Sequence, residues 1–479
     1  MSLSILAAAA DSPGAEALVC DGVRLSFAAL AERVRRRASE LWALEVKRPD
    51  PRPVALVVDG SLTMFEYFHA ALALGVPLLP IHPKLTPLER DALMQRANTR
   101  GLLDPSQAPP ALSLPAETRA FPAVSDEWPL ALVPSSGSTG SPKLVELSRR
   151  AFLALARADA ARVPALASDR ALLCLPLSHV GGLSVVIRAL LARRCCVAFR
   201  AGAGGLMGSV PELAQVLCEE RISLLSLVPA VLGRLLRDAP ALLRQAPLRA
   251  VLVGGQACSA ELLAEARSLG VPVLTSYGLT EMCSQVSTSA FPPPPELPVE
   301  QGVVSVGLPL AGVELRVVAG LIEVRGPSLF TRYVGGDSAL NAQGYFETGD
   351  RGAFDPERGL FVFGRVSELI ITGGENVDPA EVEHALLASG GSSAVCVFGV
   401  HDPEFGQRVA AAIEVADSAH LDEQGLFSRL DERLASFKQP RLVCHFETLP
   451  RLPSGKLDRR RICAEAGPRL RPAKRALRG

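Results

Sequence analysis

The chain has 479 residues, 48% of them hydrophobic, enough for roughly two to four domains with sizeable cores. Fifty Lys and Arg balance fifty Asp and Glu, so no basic footprint for nucleic acid or an acidic membrane is spread over the chain. Ten scattered cysteines form no C-x-x-C and no Cys/His set with zinc spacing, which favours reduced thiols in a cytoplasmic protein.

The short apolar run Ile5-Leu6 and the four alanines after it lack a basic segment before them and end at Asp11, unlike a signal peptide. No uncharged apolar run reaches the ~18 residues of a membrane span. From Asp21 to Ser26 the pattern is hairpin-like, with Ser26 placed to cap a helix beginning at Phe27. Apolar strand patterns at 53–58 and 77–80 alternate with helical patterns at 61–75 and 86–97. The segment 103–127 is rich in Pro, Ala and Ser and reads as a connection. Strand 130–133 follows it.

Alternation resumes with strands at 172–175, 195–199, 222–228, 250–253 and 272–275. The helices between them fall at 182–193, 211–220, 229–237 and 259–269. This order predicts doubly wound sheets with ligands at the strands' carboxyl ends. Phe291 and the four prolines after it mark a boundary. Short glycine-broken strands over 301–363 predict a small β-barrel subdomain. Beyond Arg365, a helix at 380–389, strands at 394–400 and 408–415, a helix at 422–435 and a strand at 441–446 predict a small α+β domain. The expected class is therefore α/β plus α+β: an N-terminal domain at 1–364, a C-terminal domain at 365–466 and a disordered basic tail at 467–479. That tail holds five Lys or Arg and no acid. No feature assigns an oligomeric state.

The most informative stretch follows strand 130–133. Ser135, Ser136, Gly137, Ser138, Thr139, Gly140, Ser141, Pro142 and Lys143 combine two glycines, five hydroxyls and one lysine. Glycines let backbone N–H groups close on an anion, and the hydroxyls add donors. The loop is not a P-loop, because Pro142 precedes the lysine and Leu144 stands where a magnesium-binding Ser or Thr belongs. Residue types alone leave two readings open, a phosphate cradle and a plain turn.

Further stretches decide between them. In chain order they are Leu175-Pro176-Leu177-Ser178-His179-Val180-Gly181-Gly182, Val253-Gly254-Gly255-Gln256, Ser276-Tyr277-Gly278-Leu279-Thr280-Glu281 and Tyr345-Phe346-Glu347-Thr348-Gly349-Asp350. Gly364-Arg365 through Gly373-Gly374-Glu375-Asn376 and Leu452-Pro453-Ser454-Gly455-Lys456 complete the set. In order and approximate spacing, over essentially the whole chain, they resemble the adenylate-forming superfamily of acyl-CoA ligases, carrier-protein adenylation domains and luciferases.

The resemblance implies ATP, Mg²⁺ and coenzyme A as reactants and cofactor. It implies that Ser135–Gly140 and Lys143 hold ATP phosphates. Gly254, Gly255, Gln256, Ser276, Tyr277 and Gly278 would contact adenine, and Tyr277 would stack on it. Thr280 would bond phosphate, Glu281 would hold Mg²⁺, and Asp350 and Arg365 would bind ribose. Lys456 and His179 would act with Lys143 and Thr280 in catalysis. Ser367 would be the hinge of a mobile C-terminal domain, although many relatives carry Asp or Lys there. Gly373 and Gly374 would flank the pantetheine tunnel.

Within the superfamily the wording looks most like the o-succinylbenzoate–CoA ligases of menaquinone biosynthesis. On that likeness His179, Ser184, Ser284 and Gln285 would line the acyl pocket. Arg188 would either meet a second carboxylate or serve structure. The alternatives are an acyl-CoA ligase for a fatty or other aromatic acid, an enzyme loading a carrier protein and, more remotely, a nucleotide-binding regulator without catalysis.

Overall fold

Runs of four to seven apolar residues form the strands because β-branched and leucine side chains pack well in a sheet covered on both faces. The computed structural model describes residues 2–43, 50–108, 121, 123–135, 143–202, 205–336, 339–365, 368–372, 375–390, 392–402, 405–415, 422–431, 433–434, 436–452 and 455–473. Its largest sheet has nine strands. From one edge they are Leu308–Pro309, Ser284–Thr288, Val273–Leu279, Ala250–Gly254, Leu224–Leu227, Arg170–Leu173, Cys195–Ala198, Glu16–Cys20 and Val23–Ser26. The interior pairs are parallel and the margins antiparallel. The expected hairpin turns at Asp21 and Gly22, both with positive φ, as a two-residue hairpin loop requires.

A second sheet runs Arg332–Tyr333, Lys143–Ser148, Pro129–Ser135, Leu78–Ile81, Val54–Val57 and Leu102–Leu103. Helix Leu62–Leu74 belongs to the hydrophobic core that joins the two sheets. Every residue from Met64 to Leu74 is buried, the signature of a helix covered on all sides. Its one carboxylate, Glu66, is neutralised by Arg33 at 2.5 Å and Arg37 at 2.9 Å. Ser26 caps helix Phe27–Ala43 by accepting from Ala29 N at 3.2 Å.

The β-rich stretch forms a four-stranded antiparallel sheet, Glu314–Val318, Leu321–Arg325, Phe346–Asp355 and Gly359–Arg365. Its first and last strands are not paired with each other, so among the described residues the expected barrel is an open sheet. The last sheet contains Glu375–Val377, Ile370–Thr372, Gly406–Glu414, Leu442–Phe446 and Arg471–Pro472, with Val395–Asp402 also paired to Gly406–Glu414. Among the described residues no helix is long and apolar enough to cross a membrane, and all ten thiols are unpaired.

Among the elements not legible in the pattern, three shape the site's sheets. Strand Lys143–Ser148 doubles back on Pro129–Ser135, and helix Arg149–Arg162 follows it. Strand Ser284–Thr288 doubles back on Val273–Leu279. Both antiparallel returns make the sheets mixed rather than purely doubly wound.

His69, on the fully covered helix, is buried against Phe68, and its Nδ1 has no partner among the described residues. Burial pushes its pKa down to about 4. The unfolded chain takes up this proton below about 6.5, and the folded chain refuses it. Stability is therefore expected to fall between pH 6.5 and 4, by on the order of 2–3 kcal/mol from this group. Denaturant titrations of wild type and His69→Leu across that window check this. The variant should show a shallower decline.

Candidate active site

The hairpin of the second sheet sets one wall of the site. Ser135 pairs with Lys143, so the loop between them leaves and re-enters the sheet at one point. Ser136, Gly137, Ser138, Thr139 and Gly140 of that loop lie outside the described residues. Ser135 and Lys143 line a cavity of about 880 Å³.

The large sheet supplies the opposite wall from the ends of strands Ala250–Gly254 and Val273–Leu279, where Gly254 pairs with Ser276. The chain crosses itself tightly here. A Cβ on Gly278 would lie 1.7 Å from the Ser284 carbonyl oxygen, so only glycine allows the return strand to approach. Gly254, Gly255, Ser276, Gly278, Thr280 and Glu281 all face the cavity. Gln256 does not line it.

Asp350 is buried on the four-stranded sheet and is held by two donors. The Tyr277 hydroxyl donates to Oδ2 at 2.6 Å, and Arg365 Nε donates to Oδ1 at 2.9 Å. The carboxylate is thus fixed in orientation with lone pairs to spare for a diol. The structure ties the Tyr277 hydroxyl to this carboxylate, next to Thr348 and Gly349 of the cavity wall. Burial and the neighbouring Asp350 charge hold its phenol well above the usual range, so it stays a donor.

Lys456 comes from the opposite end of the chain and enters the same cavity. A Cβ on Gly255 would sit 2.9 Å from Lys456 Cε, and the φ of 80° at Gly255 calls for glycine. Burial, then the Arg365 charge, lower the Lys456 pKa, and Asp350 partly opposes them. His179 stands at the start of helix Val180–Leu191 with its ring open to the cavity. The surrounding protein, then the Lys456 and His82 charges, push its pKa down to about 4, so the imidazole is neutral near pH 7. A Cβ on Gly182 would lie 2.4 Å from the Pro176 carbonyl oxygen, which explains the glycine in the turn that places His179.

Beyond His179 the cavity continues past Ser184, Arg188, Ser284 and Gln285. Ser184 donates to the Gly181 carbonyl at 2.8 Å. Gln285 Nε2 donates to Thr288 at 3.0 Å, while its Oε1 is buried with no partner among the described residues. Ser367, Gly373 and Gly374 lie outside the described residues.

Tyr333 was missed by sequence reasoning. The Tyr333 hydroxyl donates to Glu281 Oε1 at 2.8 Å, and Lys143 Nζ sits 4.7 Å from the centre of its ring. Nothing around Arg332-Tyr333 in the sequence marks it. Its pairing with the strand that begins at Lys143 brings it in. Glu281 Oε2 has no partner among the described residues. No cluster of three or more metal-ligating side chains occurs among the described residues. One buried carboxylate with a spare oxygen fits Mg²⁺ held chiefly by substrate phosphates.

Comparison with known proteins agrees with this geometry. Residues 5–334 match the AMP-binding enzyme family, and residues 381–456 match the AMP-binding enzyme C-terminal domain. The 2-succinylbenzoate–CoA ligase of Bacillus pumilus is 31% identical, covering 94% of this chain and 95% of the relative. The o-succinylbenzoate CoA synthetase (MenE) of Bacillus subtilis, in complex with the acyl-adenylate intermediate OSB-AMP, superposes with a TM-score of 0.84 at 28% identity. It covers 96% of this chain and 98% of its own. The same synthetase with ATP and magnesium ion gives a TM-score of 0.83 at 28% identity, over 96% of this chain and 98% of its own.

Tyr333→Phe keeps the ring beneath Lys143 and removes the donor that orients Glu281. Half-saturation by Mg²⁺ is expected to rise about fivefold, the equivalent of one ordinary hydrogen bond. Mn²⁺ binding in the presence of ATP, followed by electron paramagnetic resonance, should weaken in step. A loss of rate that is equal at all Mg²⁺ concentrations would show that the hydroxyl only supports the fold.

Proposed function

Since the chain belongs to the AMP-binding enzyme family, we propose that it joins a carboxylic acid to coenzyme A at the expense of ATP, in two steps. We assign the acid as o-succinylbenzoate, which places the reaction in menaquinone biosynthesis. The relatives of similar length and the neighbouring structures bearing that name support the assignment. The observation that carries the reaction type is the convergence of Lys456 with Thr280, Glu281 and Lys143 on one cavity.

In the first step a carboxylate oxygen of the acid attacks the α-phosphorus of ATP. The bond to the β-phosphate oxygen breaks, pyrophosphate leaves, and an acyl-adenylate forms. Asp350 accepts from the ribose diol, held in place by Tyr277 and Arg365. Gly254, Gly255 and Gly278 present bare backbone to adenine. Ser135, Lys143 and Thr280 receive phosphate oxygens. Mg²⁺, when bound at Glu281, supplies charge compensation on the phosphates. Lys456 places its ammonium where negative charge builds between carboxylate and α-phosphate, and its burial strengthens that effect. The neutral His179 ring separates the nucleotide end from the acyl end.

In the second step the thiolate of coenzyme A attacks the acyl carbon, a thioester forms and AMP leaves. For this we assign residues 365–466 as a mobile domain that turns about Ser367, withdraws Lys456 and presents Gly373 and Gly374 to the pantetheine arm. The unpaired thiols support a cytoplasmic setting.

Incubation with ATP, Mg²⁺ and a panel of carboxylates is expected to release pyrophosphate fastest with o-succinylbenzoate and to yield its thioester on free coenzyme A. Preference for a fatty or benzoic acid overturns the acid assignment. If no acid of the panel elicits pyrophosphate release, the reaction is overturned. Lys456→Ala should slow adenylation by roughly 10²–10³-fold while leaving conversion of supplied acyl-adenylate to thioester nearly intact.

The pH dependence follows from the lowered Lys456 pKa. The ammonium is the active form and is lost as pH rises through a value below the ordinary ~10.4. The kcat/KM for ATP, which reports the free enzyme, should therefore show an alkaline decline that begins below that value. The decline should be absent from the residual rate of Lys456→Ala.

A further inference from the structure

Lys456 stands in a tight hairpin. Arg451 pairs with Leu457, Leu452 N donates to the Lys456 carbonyl at 2.7 Å, and Asp458 N donates to the Pro450 carbonyl at 2.9 Å. Each arm of this hairpin ends on a carboxylate. On the incoming arm Glu414 Oε2 accepts from Leu449 N at 2.8 Å and from Arg451 Nη2 at 3.4 Å. On the outgoing arm the anchor is Arg459, the first residue of helix Arg459–Ala466 and one helical turn beyond the lysine.

Arg459 ties three elements together. Its Nη1 donates to Glu383 Oε1 at 2.6 Å, on helix Pro379–Ala388, and its Nη2 donates to the Val397 carbonyl at 3.1 Å, on strand Val395–Asp402. Val397 N donates to the same Glu383 oxygen at 2.7 Å, which closes a ring of hydrogen bonds. Arg459 Nε also lies 3.6 Å from Glu368 Oε1, and Glu368 directly follows Ser367 in the chain. The side chains of Arg459 and Glu383 are 30% and 19% exposed, and neither lines the cavity. Burial pushes the Glu383 carboxyl up and Arg459 opposes it, so the guanidinium is what favours a charged carboxylate there. Opening the pair would leave Glu383 poorly hydrated and without its counter-charge, so the pair resists opening.

A lysine stem is flexible, and where its ammonium arrives depends on how firmly the loop holds the backbone beneath it. A misplacement of about 1 Å at a reacting group can cost roughly 10²-fold in rate. We propose that Arg459 is the positioning residue of the adenylation step. Through Glu383 and the Val397 carbonyl it fixes the outgoing arm of the hairpin, and so sets how far Lys456 reaches into the cavity. Through Glu368 it joins the hairpin to the segment after Ser367, so that this segment and the lysine move as one body. This rests on the acid–CoA ligase reading above and adds to it the residue by which the C-terminal domain aims its ammonium.

The test uses Arg459→Met combined with Glu383→Gln, which removes both charges together and keeps an acceptor for Val397 N. Acid-dependent pyrophosphate release should slow by about 10²-fold. Conversion of supplied acyl-adenylate to thioester and the KM for ATP should stay nearly unchanged. Arg459→Lys alone, which keeps the charge, should retain most of the rate. Arg461→Met, at an exposed residue of the same helix that pairs with Glu465, should alter neither step. In the Lys456→Ala background the double change should add nothing, because an effect carried by the lysine is lost with it.

Equal slowing of both steps, or a full additive loss in the Lys456→Ala background, shows that Arg459 only supports the fold and overturns the positioning role. If Lys456→Ala by itself leaves pyrophosphate release intact, or no acid is activated, the reading of the reaction has failed. The placement is then judged without turnover, by the pH dependence of Lys456 acetylation with acetic anhydride, followed by peptide mass spectrometry. In the double variant the lowered amine pKa should rise toward the ordinary ~10.4. A value unchanged from wild type refutes the positioning role.

Discussion

The structure depends on one buried ammonium. Lys456 reaches from near the chain's end into a cavity lined mainly by residues between Pro134 and Arg365, and its stem lies where a side chain on Gly255 would have stood. Burial disfavours its charge, and Arg365 disfavours it further. Asp350 alone among the cited neighbours opposes them. Such a group is held at a cost that an anionic transition state would repay, and this makes the arrangement suited to attack at a phosphate and ill suited to resting stability.

Around it the cavity divides by chemistry. The nucleotide end is made of backbone: glycines whose missing side chains let strands and ligand approach, and carboxylates already oriented by a tyrosine each. Tyr277 fixes Asp350, and Tyr333 fixes Glu281. In both cases a neutral phenol, its pKa raised by burial, acts as the donor and adds no competing charge. The acyl end is made of side chains: a neutral imidazole, two serines, a glutamine and one guanidinium. In the proposed reaction the first end serves any acid, and the second selects among acids.

The second division explains why the two ends differ in how legible they were. Ser135, Lys143, Gly254, Gly278, Thr280, Glu281, Asp350 and Lys456 sit in the short local motifs that carried the resemblance to the adenylate-forming superfamily. Those motifs run along the chain and can be read there. Tyr333, and the Asp159 and Ser226 that bond Arg188, act across it. Each lies on a strand or helix whose sequence says only that it packs, and its partner is 29 to 52 residues away.

By itself the sequence determined the alternation of strands and helices, the change of character near residue 300 and again after 365, and the chemistry of the nucleotide site. These rest on periodicity, proline and glycine punctuation, and motifs with a local physical cause. Tertiary structure alone decided that the sheets turn antiparallel at Lys143–Ser148 and Ser284–Thr288, because pairing direction depends on where a strand's neighbour lies and not on its own pattern. It also decided that Tyr277 serves Asp350, that Lys456 faces Gly255, and that Arg459 bonds Glu383. Each of those is a distance between residues far apart in the chain, and no local spacing encodes it.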